Sequence, residues 1–376
     1  MNERSAYLAF NLTAGIGPNR LRALIDHCGS AVAAWQASAD DWRAAGLDRR
    51  SIEALHKAHG RLDLAAEWRA IETAGLQVIL LDEPDYPPLL RQIDAPPPLL
   101  YVRGTLVDTD RWAVAVVGTR NATPYGREVT YKIAGDLASA GVTVVSGLAL
   151  GIDAIAHRAT LDRSGRTLAV LGSGLGTIYP PQHRALADEI AEQGALISEY
   201  APTSAPLSGN FPARNRLISG LALGTLVVEA GERSGALITV QFALEQGREV
   251  FAIPGSILSR ASDGPNQLLV DGATPIRAVE QLLAQLNLDQ AVAQQAVAAI
   301  VPDTPTEAAL LPLLSGEPTH IDVLGRSSGL AAAEIAATLG LMELKGMVRQ
   351  VGGMHYVLAR EAAAPYSGKH NPRADI

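Results

Sequence analysis

A chain of 376 residues, 48% of them hydrophobic, has room for two or three domains and at least one large core. Its net charge of −8 excludes a protein coated in basic surface, so any nucleic-acid site must be a local groove. The single cysteine, Cys28, excludes an internal disulfide framework. No apolar run reaches the length of a membrane span and no basic stretch leads into an apolar one at the start, so the expectation is a cytoplasmic protein with no membrane partner.

Residues 1–75 read as entirely helical. Leu12-Thr-Ala-Gly15-Ile16-Gly17-Pro18 has the spacing of a helix-hairpin-helix, in which glycines bring backbone N–H groups to a phosphate; an ordinary tight turn between helices fits equally well. Trp35, Trp42 and Trp68 sit at amphipathic positions and read as core. After a strand at 77–81, residues 82–104 are dense in proline, which cannot join a central ladder, so this connector should wrap between domains or lie at a sheet edge.

From 76 to 288 strands and helices alternate. The strand-like runs 113–117, 142–145, 167–171, 195–198, 225–228 and 249–253 are short and almost unbroken in apolarity, as parallel strands covered on both faces should be. Gly141, Gly194 and Gly247 fit helix C-caps, and Thr123-Pro124 fits an N-cap followed by proline at the first helical position. The predicted fold class is α/β, an extended Rossmann-like, doubly wound parallel sheet. Residues 289–306 read as a linker. Residues 307–360 read as three helices and a hairpin, a winged helix, and 361–376 as a disordered tail. The presumed recognition helix, 331–345, is rich in Leu, Ala and Glu, with Lys345 as its basic residue. A major-groove reader needs Arg, Lys, Asn or Gln there, so this unit is expected to contact protein.

In an open parallel sheet, ligands bind outside the carboxyl ends of the strands. Here those ends carry Gly118-Thr119-Arg120, Ser146-Gly147, Gly172-Ser173-Gly174, Ser198-Glu199, Glu229-Ala-Gly231 and Pro254-Gly255. Accessible N–H groups, together with Arg120, Arg214, Arg216 and Arg233 expected to converge, point to a phosphate-bearing ligand. The stretch Phe211-Pro-Ala-Arg214-Asn215-Arg216-Leu-Ile-Ser219 sets two arginines and an amide beside a proline turn, with a helix expected over 214–223. Ser234-Gly235 should open another helix whose free N–H groups face a phosphate. The dinucleotide fingerprint fails at its third glycine, no phosphate-binding P-loop is present, and no metal-ligand spacing occurs, so neither cofactor nor metal is implied. Asp153 and His157, at i and i+4, read either as a ligand pair or as a helix cap and a packed histidine. Glu229 is the best candidate carboxylate, but no base or nucleophile accompanies it, so binding is expected rather than catalysis.

Taken together and in order, these motifs resemble the DNA-processing protein A (DprA/Smf) family over residues 86–273. They are Val117-Gly-Thr-Arg120, Ser146-Gly-Leu-Ala-Leu-Gly-Ile-Asp153, Gly172-Ser-Gly-Leu-Gly-Thr-Ile-Tyr-Pro180, Phe211-Pro-Ala-Arg-Asn-Arg216, Ser234-Gly-Ala-Leu-Ile-Thr239 and Pro254-Gly255. The resemblance implies a Rossmann domain that binds single-stranded DNA, dimerises, and loads RecA on incoming strands in natural transformation. It also implies a helical (helix-hairpin-helix or SAM-like) N-terminal domain and a C-terminal winged helix. Arg120, Arg214 and Arg216 carry over as phosphate contacts and Phe211 as a base-stacking residue, although a core plug beside Pro212 fits Phe211 as well. Where members place a basic residue soon after the Tyr-Pro pair, this chain has Pro181 and Gln182, then Arg184. The rival readings are a nucleoside-monophosphate phosphoribohydrolase-like enzyme or nucleotide-binding regulator, against which Glu229-Ala-Gly-Glu-Arg-Ser-Gly235 lacks the required glycine run, and a protein-binding scaffold.

Overall fold

The computed structural model describes residues 1–288, 304–315, 318–344 and 347–358. The chain forms two compact units, Met1–Leu288 and Asp289–Ile376. The first begins with helices α1 (Glu3–Asn11), α2 (Pro18–Cys28), α3 (Ala31–Gln36), α4 (Ala39–Ala44), α5 (Arg49–His59) and α6 (Leu64–Thr73). Five of the six start on a side-chain cap: Asn2, Ser30, Ser38, Asp48 and Asp63 each accept the N–H three residues on, which satisfies a donor that the helix leaves free. The exception is α2, which starts on Gly17 with Pro18 in its first turn. In the turn before it Gly15 has φ of +85°, and the Gly15 carbonyl accepts from Arg20 at 2.6 Å. Trp35 and Trp42 are buried, as their spacing predicts.

The sheet has nine strands in the order β1-β2-β6-β5-β4-β3-β7-β8-β9. In chain order they are β1 (Gln77–Leu80), β2 (Leu99–Gly104), β3 (Ala113–Val117), β4 (Thr143–Ser146), β5 (Thr167–Val170), β6 (Ala195–Ser198), β7 (Gly224–Val227), β8 (Glu249–Ala252) and β9 (Thr274–Pro275). From β6 through β9 neighbouring strands are parallel. The connector holds one helical turn, α7 (Pro88–Arg91), and then departs from expectation. Its last residues form β2, which lies inside the sheet, antiparallel to both β1 and β6, with Tyr101 opposite Ser198. The prolines end at Pro98, so every residue of β2 keeps the N–H that a central strand needs.

Alternate residues point to opposite faces. Val78, Leu80, Leu99, Tyr101, Ala169 and Leu196 join a core built on the N-terminal helices. Their neighbours Ile79, Leu100, Val102, Leu168, Val170 and Ile197 join a second core on the other face. The covering helices are α8 (Pro124–Ser139), α9 (Ile152–Leu161), α10 (Arg184–Gln193), α11 (Asn210–Gly220), α12 (Ala236–Glu245), α13 (Asp263–Val270) and α14 (Val279–Gln285). Gly141 and Gly247, at φ of +75° and +65°, end α8 and α12 in the left-handed conformation that costs glycine least.

The second unit contains α15 (Pro305–Leu310), α16 (Ile321–Ser328) and α17 (Ala332–Leu344). Beside them a small sheet runs in the order β10 (Thr319–His320), β12 (His355–Leu358), β11 (Val348–Gln350). The hairpin expected from sequence thus gains a third strand, because Thr319 and His320 pair with Tyr356 and His355. Leu310, Leu324, Ile335, Leu339 and Met342 make its core. The expected tail, most of the expected linker, and Lys345 lie outside the described residues. Among those residues no helix is long and apolar enough to cross a membrane.

Candidate nucleic-acid interface

The parallel strands run outward from β3 in two directions, through β4, β5 and β6 on one side and through β7, β8 and β9 on the other. Between β3 and β7 the connecting loops part, and that switch point is where doubly wound sheets hold ligands. A cleft of about 360 Å³ opens there, lined among others by Gly118, Arg120, Asp153, Tyr179, Phe211, Arg214, Asn215, Ser234, Gly235 and Thr239. Helix α12 meets it at its start, so the positive end of its dipole faces the cleft. The expected free N–H groups are not there: Ala236 N donates to Ser234 Oγ at 3.3 Å, Leu237 N to Ser234 O and Ile238 N to Gly235 O, which closes the first turn locally.

Arg120, directly after β3, is exposed and makes no hydrogen bond or ion pair with any described residue. Arg214 is its opposite. Helix α11 starts at Asn210, four residues earlier than the sequence suggests, with Pro212 in the first turn, where proline costs no helix bond. The earlier start turns Arg214 into the floor, 4% exposed. Its guanidinium donates to the Gly147 carbonyl at 2.8 Å and to the Val170 carbonyl. Its Nε has no hydrogen-bond partner. Burial lowers its pKa to about 10, opposed by the charge of Asp153 and reinforced by that of Arg120. Two like charges that feel each other at the bottom and rim of one cleft are relieved by an anion between them.

Asp153 does not cap the start of α9; Gly151 occupies that position. Its carboxylate reaches back and accepts from Gly147 N at 3.1 Å and Ala149 N at 3.3 Å. Desolvation raises its pKa, with Arg214 and these N–H groups pulling the other way. A Cβ on Gly147 would lie 2.7 Å from both Arg214 Nη2 and Asp153 Oδ2, so glycine is required for both side chains to reach this stretch of backbone. His157 belongs to the same layer and forms no ligand pair with Asp153. It is fully buried, with Nδ1 2.7 Å from Thr167 Oγ1. That hydroxyl donates to Val144 O at 2.7 Å, so His157 Nδ1 must be the donor and Nε2 is left bare. Burial lowers its pKa to about 3.

Of the other predicted contacts, Gly118, Phe211, Asn215, Ser234 and Gly235 line the cleft and the rest do not. Arg216 lies across the sheet edge in an ion pair with Glu199 at 2.5 Å, the two side chains 16% and 12% exposed; the expected convergence of Arg214 and Arg216 on one phosphate does not occur. Glu199 carries a raised pKa because burial outweighs that partner. The glycine loops spend their N–H groups internally: Thr119 N on Glu229 O, Gly174 N on Ser204 O and Gly176 N on Pro202 O. Ser146 donates to Val116 O and Ser173 to Thr177 O, and both are buried. Gly172 is small because Phe211 packs on it, a Cβ there falling 2.9 Å from the ring. Arg184 and Arg233 are exposed but do not line the cleft. Glu229, 1% exposed, accepts from Thr123 N at 2.9 Å and from the Thr123 hydroxyl at the start of α8. It anchors a helix end. Asn215 holds the Gly235 carbonyl at 3.2 Å and so ties α11 to the start of α12.

One residue at the cleft escaped the sequence reading. Tyr179 is 44% exposed, with its ring centroid 5.5 Å from that of Phe211. Its only sequence signal is the pair Tyr179-Pro180 seven residues after Gly172, and that signal says nothing about exposure.

A family model described as DNA recombination-mediator protein A matches residues 77–287, and one described as the DprA winged helix domain matches 294–354. Protein Smf of Synechocystis sp. is 36% identical over 392 residues, 94% of this chain and 98% of that protein. The X-ray structure of DNA processing protein A from Streptococcus pneumoniae is similar with a TM-score of 0.67 at 33% identity, covering 76% of this chain and 98% of that one. DNA processing protein A from Helicobacter pylori, solved for its single-stranded DNA binding mode, gives 0.51 at 32% identity, over 57% of this chain and 97% of that one.

Proposed function

The chain belongs to the DNA recombination-mediator protein A family, the DprA/Smf proteins, and on that basis we propose that it binds single-stranded DNA across the carboxyl edge of its sheet. One observation carries the reading: an exposed arginine without a protein partner, Arg120, shares a cleft with the positive end of the α12 dipole and with a buried arginine whose Nε is unpaired. Such a cleft offers few groups arranged to read base edges, so affinity should come from phosphates and base faces, with little sequence preference. The test is a titration of labelled oligo-dT and a duplex of equal length at several salt concentrations. Single strands should bind tighter, and log affinity should fall against log salt with a slope of about −0.7 per neutralised phosphate. Equal affinity for the two at matched salt would overturn the proposal.

The recombination role is a proposal of the same kind. The chain hands its strand to RecA, and the measurement is whether it shortens the lag of RecA filament growth on oligo-dT. It does so in the cytoplasm and as a homodimer through the α/β unit. Support for the dimer comes from Ile257, Leu258 and Val270, apolar residues exposed by 88%, 92% and 81%, as residues that a second copy covers would be. Sedimentation at rising concentration tests it. Binding without catalysis is supported by Glu229 and Asp153, which are buried and hydrogen-bonded into the fold, and by Glu199, which is held in an ion pair with Arg216. Incubation with AMP or CMP should release no free base.

A further inference from the structure

Resting on the strand-binding reading above, we propose that Tyr179 is the platform on which an unstacked base of the bound strand lies, and that Phe211 is its support. The rings of Tyr179 and Phe211 touch, centroids 5.5 Å apart at 48°, which leaves no gap for a base between them. Phe211 is half-buried and has Gly172 at its ring, where even a Cβ would come within 2.9 Å. Its contact surface is therefore spent on the protein. Tyr179 holds the outer position: 44% of it is exposed, and its hydroxyl makes no hydrogen bond with any described residue. An aromatic ring with an open face at the rim of a polar cleft can take a second flat ring against that face. Its brace on Phe211 holds the ring in place before the strand arrives, so little ordering is left for binding to supply.

Arg120 lines the same cleft as this pair. A strand whose phosphate lies on Arg120 therefore runs past Tyr179, and a base freed from its neighbours can turn its face to the ring. The ligand this selects is a single strand that carries bases, of either sugar and any sequence, since every base has a face to stack. A duplex keeps its bases inside, and an abasic chain has none.

The experiment compares oligo-dT with an abasic oligomer of the same phosphate count on the full chain, by anisotropy at fixed salt. Oligo-dT should bind about 5- to 150-fold tighter. Tyr179→Ala and Tyr179→Leu should remove that preference and leave the salt slope unchanged, while Tyr179→Trp keeps it. Melting curves on each variant confirm that folded protein is compared. A bromodeoxyuridine strand, which needs no variant, should crosslink to Tyr179 on irradiation. If Tyr179→Ala keeps the preference, or loses affinity for both oligomers equally, or if crosslinks map only elsewhere, the assignment is overturned while strand binding stands. If the unaltered chain binds neither oligomer, the strand-binding reading itself falls.

Discussion

Two regions of this molecule belong to architectures that bind nucleic acid elsewhere, and their described residues present different chemistry. At the sheet's carboxyl edge, Arg120 is exposed and unpaired beside the start of α12. On α17, the helix that a winged helix would lay in a groove, the exposed residues are Ala332, Ala333, Glu334, Ala336, Ala337, Leu341 and Glu343. That face offers no group to pair with a base edge and two carboxylates that repel phosphate. The unit's exposed Arg326 and Arg349 lie on α16 and β11 instead. Architecture supplies a shape, and the side chains placed on it decide what the shape can hold.

The sharpest way to break this contrast lies within the cleft, between its buried and its exposed arginine. Arg214 is hydrogen-bonded to two carbonyls and faces Asp153 in a buried layer. Arg214→Ala removes two charged hydrogen bonds to buried carbonyls and the opposite charge that Asp153 feels, a loss of about 3–5 kcal/mol at about 1.5–3 per charged hydrogen bond, read as a fall in the urea midpoint of the first unit. Asp153→Asn added to it should recover part of the loss, because an amide oxygen can still accept from Gly147 N. An unchanged midpoint for the single variant would make Arg214 a ligand group rather than a pillar.

Acid tests the same layer. The pKa of His157 falls from 6.5 to about 3 in the folded chain, so its contribution is complete above the unfolded value and is lost as pH falls between the two. Lowering pH from 6.5 to 4 should remove about 3 kcal/mol. Asp153 and Glu199 act in reverse: their raised values favour the folded state as pH falls through them. The readout is therefore a difference, with His157→Gln, neutral throughout, losing less stability over that range than the unaltered chain. Parallel pH curves would remove His157 from the account. Neither His320 nor His355 of the winged unit is buried, so this lability belongs to the cleft's side of the comparison.

Much of the fold was legible. The β3 and β6 boundaries match the apolar runs residue for residue, β5 and β8 end one residue early, and β4 and β7 are shifted by one residue, because a doubly covered strand leaves a continuous apolar signal; the two-residue β9 left none. The connector was not legible beyond its prolines: β2 pairs with β6 nearly a hundred positions away, and nothing local encodes a partner at that distance. At the site, the arginines were visible as charges, but their burial was not. Arg120 and Arg214 look alike in sequence and differ in place: Arg120 stands in the loop after β3, while Arg214 sits on the inward face of α11. The glycines misled for a related reason. A glycine beside a strand end signals close approach, and only the structure tells whether a ligand comes near or, as at Gly147, the side chains of Arg214 and Asp153.

A smaller effect sharpens the contrast on the exposed side. Arg120→Ala should weaken oligo-dT binding about tenfold, near the lower end for a charged hydrogen bond, and shallow the salt slope by about 0.7. The melting temperature should not move, since the side chain has no partner to lose. Arg120→Lys should recover part of the affinity, because charge returns without the fork. Loss of affinity with an unchanged slope would assign Arg120 to shape rather than to phosphate.

The smallest expected effect concerns the other region. Removing residues 289–376 takes away the whole second unit and leaves Met1–Leu288, which is compact by itself and contains both sheet-face cores. Cleft, arginines and aromatic pair all remain. The exposed face of α17 contributes no cation, so the salt slope should be unchanged and oligo-dT affinity should shift by less than about twofold, a few tenths of a kcal/mol. A loss of tenfold or more in a truncated chain that still melts cooperatively would mean that Arg326, Arg349 or residues outside α17 hold part of the strand. The apolar stretch along α17, with Val351 and Met354 exposed by 42% and 59% on the wing, points instead to a surface used against protein. The same truncation should therefore separate two activities: strand binding kept, and any effect on RecA filament growth that depends on the winged unit lost.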